Sequence, residues 1–300
     1  MSLLSKITTG RVDKPLRTVL YGVDGVGKTT FAAGAPKPLF IGAEDGTAQL
    51  DVARFAPGSW AELKSLVETL ATEAHEYKTL VLDSIDWAEP LCLADVCARG
   101  GKKSIEDFGF GKGYVQAVGE WRGLLETIDV LREKRGMGVV LIGHAKIKSK
   151  TEPDLETSYD RYQLKAHEKT ADLIREWADL VAFANYEKIV RKTDDGKARA
   201  TSSGARIMHT EYSAAFDAKN RLGLPPRLPL SYADLQDAIK SGAPGKIEEM
   251  KLEFIQTLEL VDAATRAKAS AWFEDARNTS NAMKLAQGLD NLKAKARIAA

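Results

Sequence analysis

Residues 22–29 read Gly-Val-Asp-Gly-Val-Gly-Lys-Thr, and this stretch is the clearest indication of how the chain folds. It matches the phosphate-binding pattern Gly-x-x-x-x-Gly-Lys-Ser/Thr, in which glycines let consecutive backbone N–H groups surround phosphate oxygens. An apolar run precedes it and a helical pattern begins at residue 28. That strand–loop–helix context is the one the motif requires, so the stretch predicts a nucleotide site in an α/β fold.

The residue types in this stretch have distinct predicted roles. The ammonium group of Lys28 would reach the β- and γ-phosphates, and the hydroxyl of Thr29 would be a ligand of Mg²⁺. The start of the helix adds the positive end of its dipole. The residues predicted to hold the nucleotide are Gly22, Val23, Asp24, Gly25, Val26, Gly27, Lys28, Thr29 and Thr30.

Outward from this loop, short apolar runs alternate with longer helical patterns. Strands are predicted at 16–20, 39–41, 80–82, 139–142 and 180–183, and helices at 28–33, 60–76, 87–97, 115–134 and 169–177. The strand runs are continuously apolar, as is typical of strands covered on both faces. The predicted fold is therefore α/β, with a doubly wound, mostly parallel sheet and helices on both faces.

The pattern changes after residue 185. Segments 186–192 and 205–212 are predicted as an antiparallel extension joined by the turn 194–197. A helix at 232–240, a linker at 241–245 and a helical region rich in Ala, Lys, Glu and Leu follow. We expect an N-terminal tail at 1–13, an ATPase-type core at 14–240 and a small C-terminal helical appendage at 246–300.

Composition narrows the class of protein. The chain has 300 residues, 43 Lys and Arg, 42 Asp and Glu, and a net charge of +1, with 44% hydrophobic and 28% charged residues. This balance excludes a disordered, fibrous or disulfide-scaffolded chain and argues against strongly salt-driven binding of nucleic acid. We expect no membrane segment, a cytoplasmic location because Cys92 and Cys97 form no framework, and no zinc site.

Three further residues follow predicted strands and have chemistry suited to a nucleotide. Asp83 ends the apolar run 80–82, where its carboxylate would hold Mg²⁺. Glu44 follows the run 39–41 and is the predicted base that polarises the attacking water, with Asp45 and Asp86 as alternatives. His144 follows the run 139–142 and is predicted to sense the γ-phosphate.

With these elements in this order, the chain resembles RecA-like ATPases. The segments GVDGVGKTT, IGAED, LVLDS and VLIGHAK resemble the phosphate loop and the catalytic-Glu, magnesium-Asp and sensor strands of that family. The resemblance extends over roughly residues 14–221. Within it, the compact core and the segments 176–183 and 218–225 are similar to phage-encoded Sak-class proteins, which are single-strand annealing ATP-binding proteins of phage recombination.

The resemblance implies an ATPase that uses ATP and Mg²⁺, binds single-stranded DNA and forms a filament or a ring. It implies that Lys219 and Arg221 reach a neighbouring subunit's nucleotide, and that the loops 99–114 and 146–165 line the DNA path. It also implies a host-cytoplasm location and a single-strand-binding protein as a partner. The DNA contacts that it implies are Lys102, Lys103, Phe108, Phe110, Lys112, Tyr159 and Arg161.

Other classes of function stay open on the sequence. A nucleotide kinase should carry an Arg-rich lid, and because of the basic cluster at 99–103 the sequence does not exclude a kinase. A GTPase should carry an Asn-Lys-x-Asp strand end, which this sequence lacks. A binding module that uses ATP as a conformational ligand, with little turnover, is the remaining alternative.

Overall fold

The fold is described by a computed structural model that covers residues 7, 9, 14–42, 45–153, 157–192, 198–241, 244–275, 278 and 282–299. The strands are β1 (Arg17–Gly22), β2 (Pro38–Ile41), β3 (Ala53–Phe55), β4 (Thr79–Asp83), β5 (Gly138–Lys150), β6 (Tyr159–Leu164), β7 (Leu180–Lys192), β8 (Ala198–His209), β9 (Lys219–Asn220) and β10 (Arg227–Pro229). The helices are α1 (Lys28–Ala33), α2 (Trp60–Thr72), α3 (Ile85–Arg99), α4 (Lys112–Arg135), α5 (Glu168–Trp177), α6 (Tyr232–Ser241), α7 (Pro244–Leu258), α8 (Ala263–Glu274) and α9 (Ala282–Ala299).

The strands form one sheet with β1 near its centre. The order is β10-β8-β7-β1-β5-β4-β2-β3, with β6 added to β5 and β9 to β7. Pairing is parallel from β7 through β1, β5, β4 and β2 to β3. It is antiparallel among β7, β8 and β10 and between β5 and β6. The carboxyl ends of β1, β4 and β5 therefore meet at one edge of the sheet, where open α/β folds bind ligands.

Helices cover both faces of this sheet, as the apolar strand runs predict. On one face α2 and α4 bury Trp60 and Trp121, whose ring centroids lie 5.0 Å apart. On the other face Phe31 of α1 and Leu235 of α6 pack against the same strands. Replacing a buried ring of this size by Ala costs about 3–5 kcal/mol, so these contacts are a large part of what holds the layers together. The doubly wound, mostly parallel sheet is confirmed.

Two parts of the sheet differ from the prediction. The sequence predicts a loop over 146–165, but the ends of this segment form a hairpin, because β5 continues to Lys150 and pairs with β6. The sequence does not predict the short edge strand β3, since three residues carry too little periodicity. In addition, the predicted strands at 180–183 and 186–192 are one strand, β7, which is parallel to β1 at its start and antiparallel to β8 beyond.

The C-terminal helices have an apolar cluster of their own. Phe254 of α7, Trp272 of α8 and Leu285 of α9 pack together there. The predicted turn at 194–197 and nearly all of the predicted tail at 1–13 lie outside the described residues. Within the described ranges, no helix is both long enough and apolar enough to cross a bilayer.

Candidate nucleotide site

The phosphate loop joins β1 to α1 and has the conformation that its glycines permit. Gly25 and Gly27 have φ values of +70° and +100°, which side chains strongly disfavour. At Gly22 a Cβ would overlap the carbonyl oxygen of Ala184 on β7. That same oxygen accepts the N–H of Val23 at 3.3 Å, so β1 and β7 hold the start of the loop.

Lys28 and Thr29 lie in the first turn of α1 and point into the loop. Lys28 is 6% exposed, and its Nζ donates to the carbonyl oxygens of Gly22 and Val23 at 3.2 and 3.0 Å. The hydroxyl of Thr29 donates to Oδ2 of Asp83 at 2.7 Å. The predicted magnesium ligands are thus together, and a hydroxyl with a carboxylate is the oxygen chemistry that Mg²⁺ prefers.

Asp83 ends β4 and is 3% exposed. Burial raises the pKa of its carboxyl group above the ordinary value, although the hydrogen bond from Thr29 and the charge of Lys28 act in the opposite direction. A buried anion whose pKa is raised lacks enough positive charge nearby. A divalent cation beside Thr29 would supply that charge, so the residues present fit Mg²⁺.

His144 of β5 is hydrogen-bonded to Asp86. One carboxylate oxygen of Asp86 accepts the backbone N–H of His144 at 3.2 Å, and the other lies 3.0 Å from Nδ1. Burial would raise the pKa of Asp86, but the hydrogen bonds from His144 outweigh burial and lower it. An ionised carboxylate only accepts, so Nδ1 carries a proton. Nε2 lies 3.8 Å from Oδ1 of Asp24 in the phosphate loop.

The predicted base, Glu44, lies outside the described residues, as does the side chain of Asp45. The adjoining Gly42 is described, and a Cβ there would overlap the backbone oxygen of Asp83. The chain leading to Glu44 therefore leaves β2 directly beside the backbone of Asp83. Asp86, the other alternative, is engaged with His144 and with Lys165, whose Nζ is 3.7 Å away.

Two residues that the sequence analysis did not single out cover the opposite side of the loop. The hydroxyl of Tyr186 on β7 donates to the carbonyl oxygen of Gly25 at 2.9 Å. On β8, Nη1 of Arg206 would lie 2.8 Å from a Cβ built on Gly27. Both residues belong to the antiparallel extension, far from the motif in sequence. Nothing in the local pattern around either residue indicates this contact.

Lys219 and Arg221 lie near the amino-terminal ends of β1 and β7, at the end of these strands away from the phosphate loop. Lys219 pairs with Val181 at the start of β7, whereas the phosphate loop follows the end of β1. Nζ of Lys219 donates to the carbonyl oxygens of Arg175 and Glu176, and the guanidinium of Arg221 lies 3.8 Å from Asp179. They do not meet the nucleotide site of their own chain.

The segment 99–114 presents some of its predicted DNA contacts and packs others. Phe110 is fully exposed and has a positive φ between two glycines that also have positive φ. The exposed lysines of the segment are Lys102, Lys103 and Lys112. Phe108, in contrast, packs against the core, where its ring would meet a Cβ on Gly100. Because its ring makes a packing contact in this structure, its role in binding DNA stays a prediction.

The hairpin of β5 and β6 also changes the interpretation of its predicted DNA contacts. Arg161 is 3% exposed, and its guanidinium bonds to Asp217 at 2.8 Å and lies over the ring of Tyr212. Tyr159 is half-buried. The prediction that Arg161 faces DNA is corrected, because its charge is used inside the protein.

The first predicted DNA segment ends in contact with the stretch that follows the second. The ring of Tyr114 stacks on that of His167, with centroids 4.0 Å apart. The backbone N–H of His167 donates to the carboxylate of Glu89, one helical turn after Asp86 on α3. A continuous path of contacts therefore runs from His144 through α3 and His167 to Tyr114, at the end of the segment 99–114.

Comparison with known proteins gives two matches. A protein-family model described as an AAA domain matches residues 14–222, which is more than half of the chain. The crystal structure of the RadB recombinase is similar at 14% identity with a TM-score of 0.38, covering 65% of this chain and 80% of that one. No curated protein matches the sequence.

Proposed function

Because this chain belongs to the AAA-domain family, whose model includes the phosphate loop, we propose that it is a Mg²⁺-dependent ATPase that binds single-stranded DNA. In this proposal it acts as an oligomer and promotes single-strand annealing or homologous recombination. The similarity of its segments to those of phage Sak-class proteins supports the finer assignment, including the cytoplasm of a bacterial host as the place of action.

The chemistry at the nucleotide follows from the described side chains. Lys28 would exchange its backbone carbonyl partners for phosphate oxygens, and its charge would offset negative charge on the γ-phosphate. Thr29 and Asp83 would hold Mg²⁺, which neutralises phosphate charge when bound. Glu44 is the proposed base for the attacking water, because β2 delivers the chain beside Asp83.

One observation carries the proposal of DNA binding, namely the fully exposed Phe110 on a loop that also carries exposed lysines. An exposed aromatic ring with lysines beside it is the combination that binds single strands, with the ring under a base and the lysines on the backbone. Stacking of a base on an aromatic ring contributes about 1–3 kcal/mol regardless of sequence, and Lys102, Lys103 and Lys112 would contact the backbone phosphates. This combination favours single strands over duplex.

The path from His144 to Tyr114 supports a link between nucleotide and DNA. A γ-phosphate beside Nε2 of His144 would pull on the Asp86 contact. Since Asp86 and Glu89 lie on the same helix, a shift of α3 would move His167 and the stacked Tyr114. ATP would therefore adjust the segment that carries Phe110.

Oligomerisation is proposed because of where Lys219 and Arg221 lie. Lys219 is level with Val19 of β1, because both pair with Val181, and the three residues from there to Gly22 span about 10 Å at ~3.3 Å per residue. Since Nζ of Lys219 is also held by the carbonyl oxygens of Arg175 and Glu176, these cations serve a γ-phosphate only if it belongs to another subunit. In that position they would offset the charge that develops during hydrolysis. The cofactors are then ATP and Mg²⁺, and the partners are single-stranded DNA, further copies of the chain and a single-strand-binding protein.

The test is ATP hydrolysis with and without single-stranded DNA across a range of salt concentrations. We expect turnover that DNA stimulates, loss of turnover in Lys28→Ala, and weaker DNA binding in Phe110→Ala but not in Phe110→Trp, which keeps a stacking ring. Absence of both turnover and DNA retention at low salt would contradict the proposal. Glu44→Gln separates catalysis from switching, because an ATP-switched module would still anneal DNA in that variant.

A further inference from the structure

Arg206 and Tyr186 are neighbours across the β7–β8 ladder. They are paired in register, so their side chains lie on the same face of the antiparallel extension. That face is turned toward the phosphate loop, since the Tyr186 hydroxyl bonds to Gly25 and the Arg206 guanidinium lies against Gly27. Both ends of the loop's glycine-rich turn are thus in contact with the extension.

The charge of Arg206 is available to a ligand. The residue is exposed, and among the side chains that the structure describes no carboxylate is paired with it. Its backbone is held on both sides, by pairing with Tyr186 and by the N–H of Leu230, which donates to the Arg206 carbonyl oxygen at 3.0 Å. An available guanidinium on a fixed strand beside a phosphate loop is suited to bidentate contact with phosphate oxygens.

The strand order indicates which phosphate lies on that side. β1 leads into the loop, β5 and β4 lie on one side of it, and β7 and β8 lie on the other. The magnesium ligand Asp83 ends β4, and His144 is on β5. Thr29 and Asp83 would hold Mg²⁺ and His144 is the predicted sensor of the γ-phosphate, so we place the γ-phosphate on the β4–β5 side. The β7–β8 side therefore faces the α-phosphate end of the nucleotide.

We propose that Arg206 is a nucleotide-binding residue supplied by the same chain, which contacts the α- and β-phosphates that ATP and ADP share. Tyr186 is a positioning residue that holds the Gly25 carbonyl and keeps the loop against the extension. The proposal rests on the proposed function, since it requires that the loop bind a nucleotide. It makes the antiparallel extension part of the nucleotide site.

The experiment compares Arg206→Ala with Arg227→Ala, an exposed arginine of the adjacent strand β10 that pairs with Glu187. Binding of Mg·ATP and of Mg·ADP is measured by calorimetric titration, and unfolding temperatures are measured with and without each nucleotide. In Arg206→Ala we expect both affinities to fall by the same factor, roughly 10- to 100-fold for removal of a charge-assisted hydrogen bond. The nucleotide-free unfolding temperature should equal that of Arg227→Ala, and Arg206→Lys should recover part of the affinity.

Two results would overturn the proposal. One is that Arg206→Ala binds both nucleotides as tightly as Arg227→Ala does. The other is that only ATP binding weakens, which would assign Arg206 to the γ-phosphate. Lys28→Ala distinguishes these failures from failure of the proposed function. If Lys28→Ala also binds both nucleotides normally, the site itself is misassigned, whereas loss of binding in that variant alone rejects only the role of Arg206.

Discussion

The Thr29 hydroxyl and the Asp83 carboxylate, from the first turn of α1 and the end of β4, are joined by a hydrogen bond of 2.7 Å. The bond crosses the sheet edge beneath the phosphate loop and fixes the two oxygen atoms that suit Mg²⁺. Asp83 is nearly fully buried, and its burial raises its pKa. Keeping this buried carboxylate ionised therefore costs some of the folding free energy, a cost that a bound cation would offset.

Asp83→Asn should separate stability from function. Stability falls with rising pH wherever the native state has bound more protons than the unfolded state. For Asp83, whose folded pKa is raised, this penalty is absent below the ordinary pKa and fully present above the raised one. The nucleotide-free variant should therefore unfold roughly 1–3 °C higher than the parent chain at neutral pH, measured by differential scanning calorimetry.

The same variant should lose Mg²⁺-dependent hydrolysis, because an amide oxygen is a poorer ligand than a carboxylate. The control is pH 3, below the ordinary Asp pKa of about 3.9, where the two chains should have the same unfolding temperature. An unfolding temperature below that of the parent at neutral pH would show that the buried charge stabilises the fold.

Arg17 and Asp179 form an ion pair in which the pKa of the carboxyl group is lowered, whereas that of Asp83 is raised. The guanidinium of Arg17 bonds to both Asp179 oxygens at 2.7 and 3.1 Å, and the Arg17 backbone N–H adds a third bond. Burial would raise the pKa of Asp179, but the hydrogen bonds and charge of Arg17 lower it. This stabilisation is present above the ordinary pKa and is lost as pH falls through the lowered one.

Asp179→Asn should therefore destabilise the chain at neutral pH, by about 3 kcal/mol for a partly buried pair that loses one charge. The measurement is urea unfolding at pH 7 and at progressively lower pH. The difference between variant and parent should shrink on the acid side, where the parent also loses the charge. A difference that is constant across this range would mean that packing, and not charge, sets the effect.

The central sheet was predictable because its strands are buried on both faces, which leaves continuous apolar runs such as 139–142. The β5–β6 hairpin was harder, although Lys146, Lys148 and Lys150 alternate with Ala145, Ile147 and Ser149 in the period of a strand. The many charges of this segment favour a loop when they are considered without that alternation. Charged side chains on a projecting hairpin are solvated, so they do not oppose strand formation.

The residues of the candidate site also fall into those that the sequence could predict and those that it could not. Lys28, Thr29 and Asp83 follow from motifs because each lies at a fixed distance from a strand end. Arg206 could not be predicted, since its contact with Gly27 depends on the pairing of β7 with β8 and on which face the pair presents. Arg161 was misjudged for a related reason. Its partner Asp217 is distant in sequence, and a sequence does not show that a basic residue is already paired.

Replacing glycine by alanine should have opposite effects on the stability of the chain at Gly42 and at Gly119. A Cβ at Gly42 would overlap the backbone oxygen of Asp83, so Gly42→Ala must displace the end of β2 or β4. We expect a loss of roughly 1–3 kcal/mol together with weaker Mg·ATP binding. Gly119 lies inside α4 with open space around it, so Gly119→Ala should stabilise the chain by about 0.5–1 kcal/mol.

Denaturant unfolding and nucleotide titration on both variants test this pair. Gly119→Ala serves as the control for the effect of a methyl group as such, and its nucleotide affinity should be unchanged. Equal stability of the two variants would contradict the close approach of β2 to Asp83.

Lys102, Lys103 and Arg161 should respond differently when the DNA path is tested. The two lysines are exposed on the segment that carries Phe110, whereas Arg161 is buried against Asp217. In the double variant Lys102→Ala/Lys103→Ala, single-stranded DNA should bind more weakly at low salt. The slope of log affinity against log salt should become shallower by about 0.7 for each DNA phosphate that the variant no longer neutralises.

The unfolding temperature of that double variant should match that of the parent, because neither lysine supports the core. Arg161→Ala should instead leave the partly buried Asp217 with a weaker set of partners and destabilise the chain by about 3 kcal/mol. Its salt slope should stay at the parental value, since the charge removed does not face solvent. A shallower slope of log affinity against log salt in Arg161→Ala, at unchanged stability, would show that Arg161 contacts DNA. It would also mean that the hairpin of β5 and β6 opens when DNA binds.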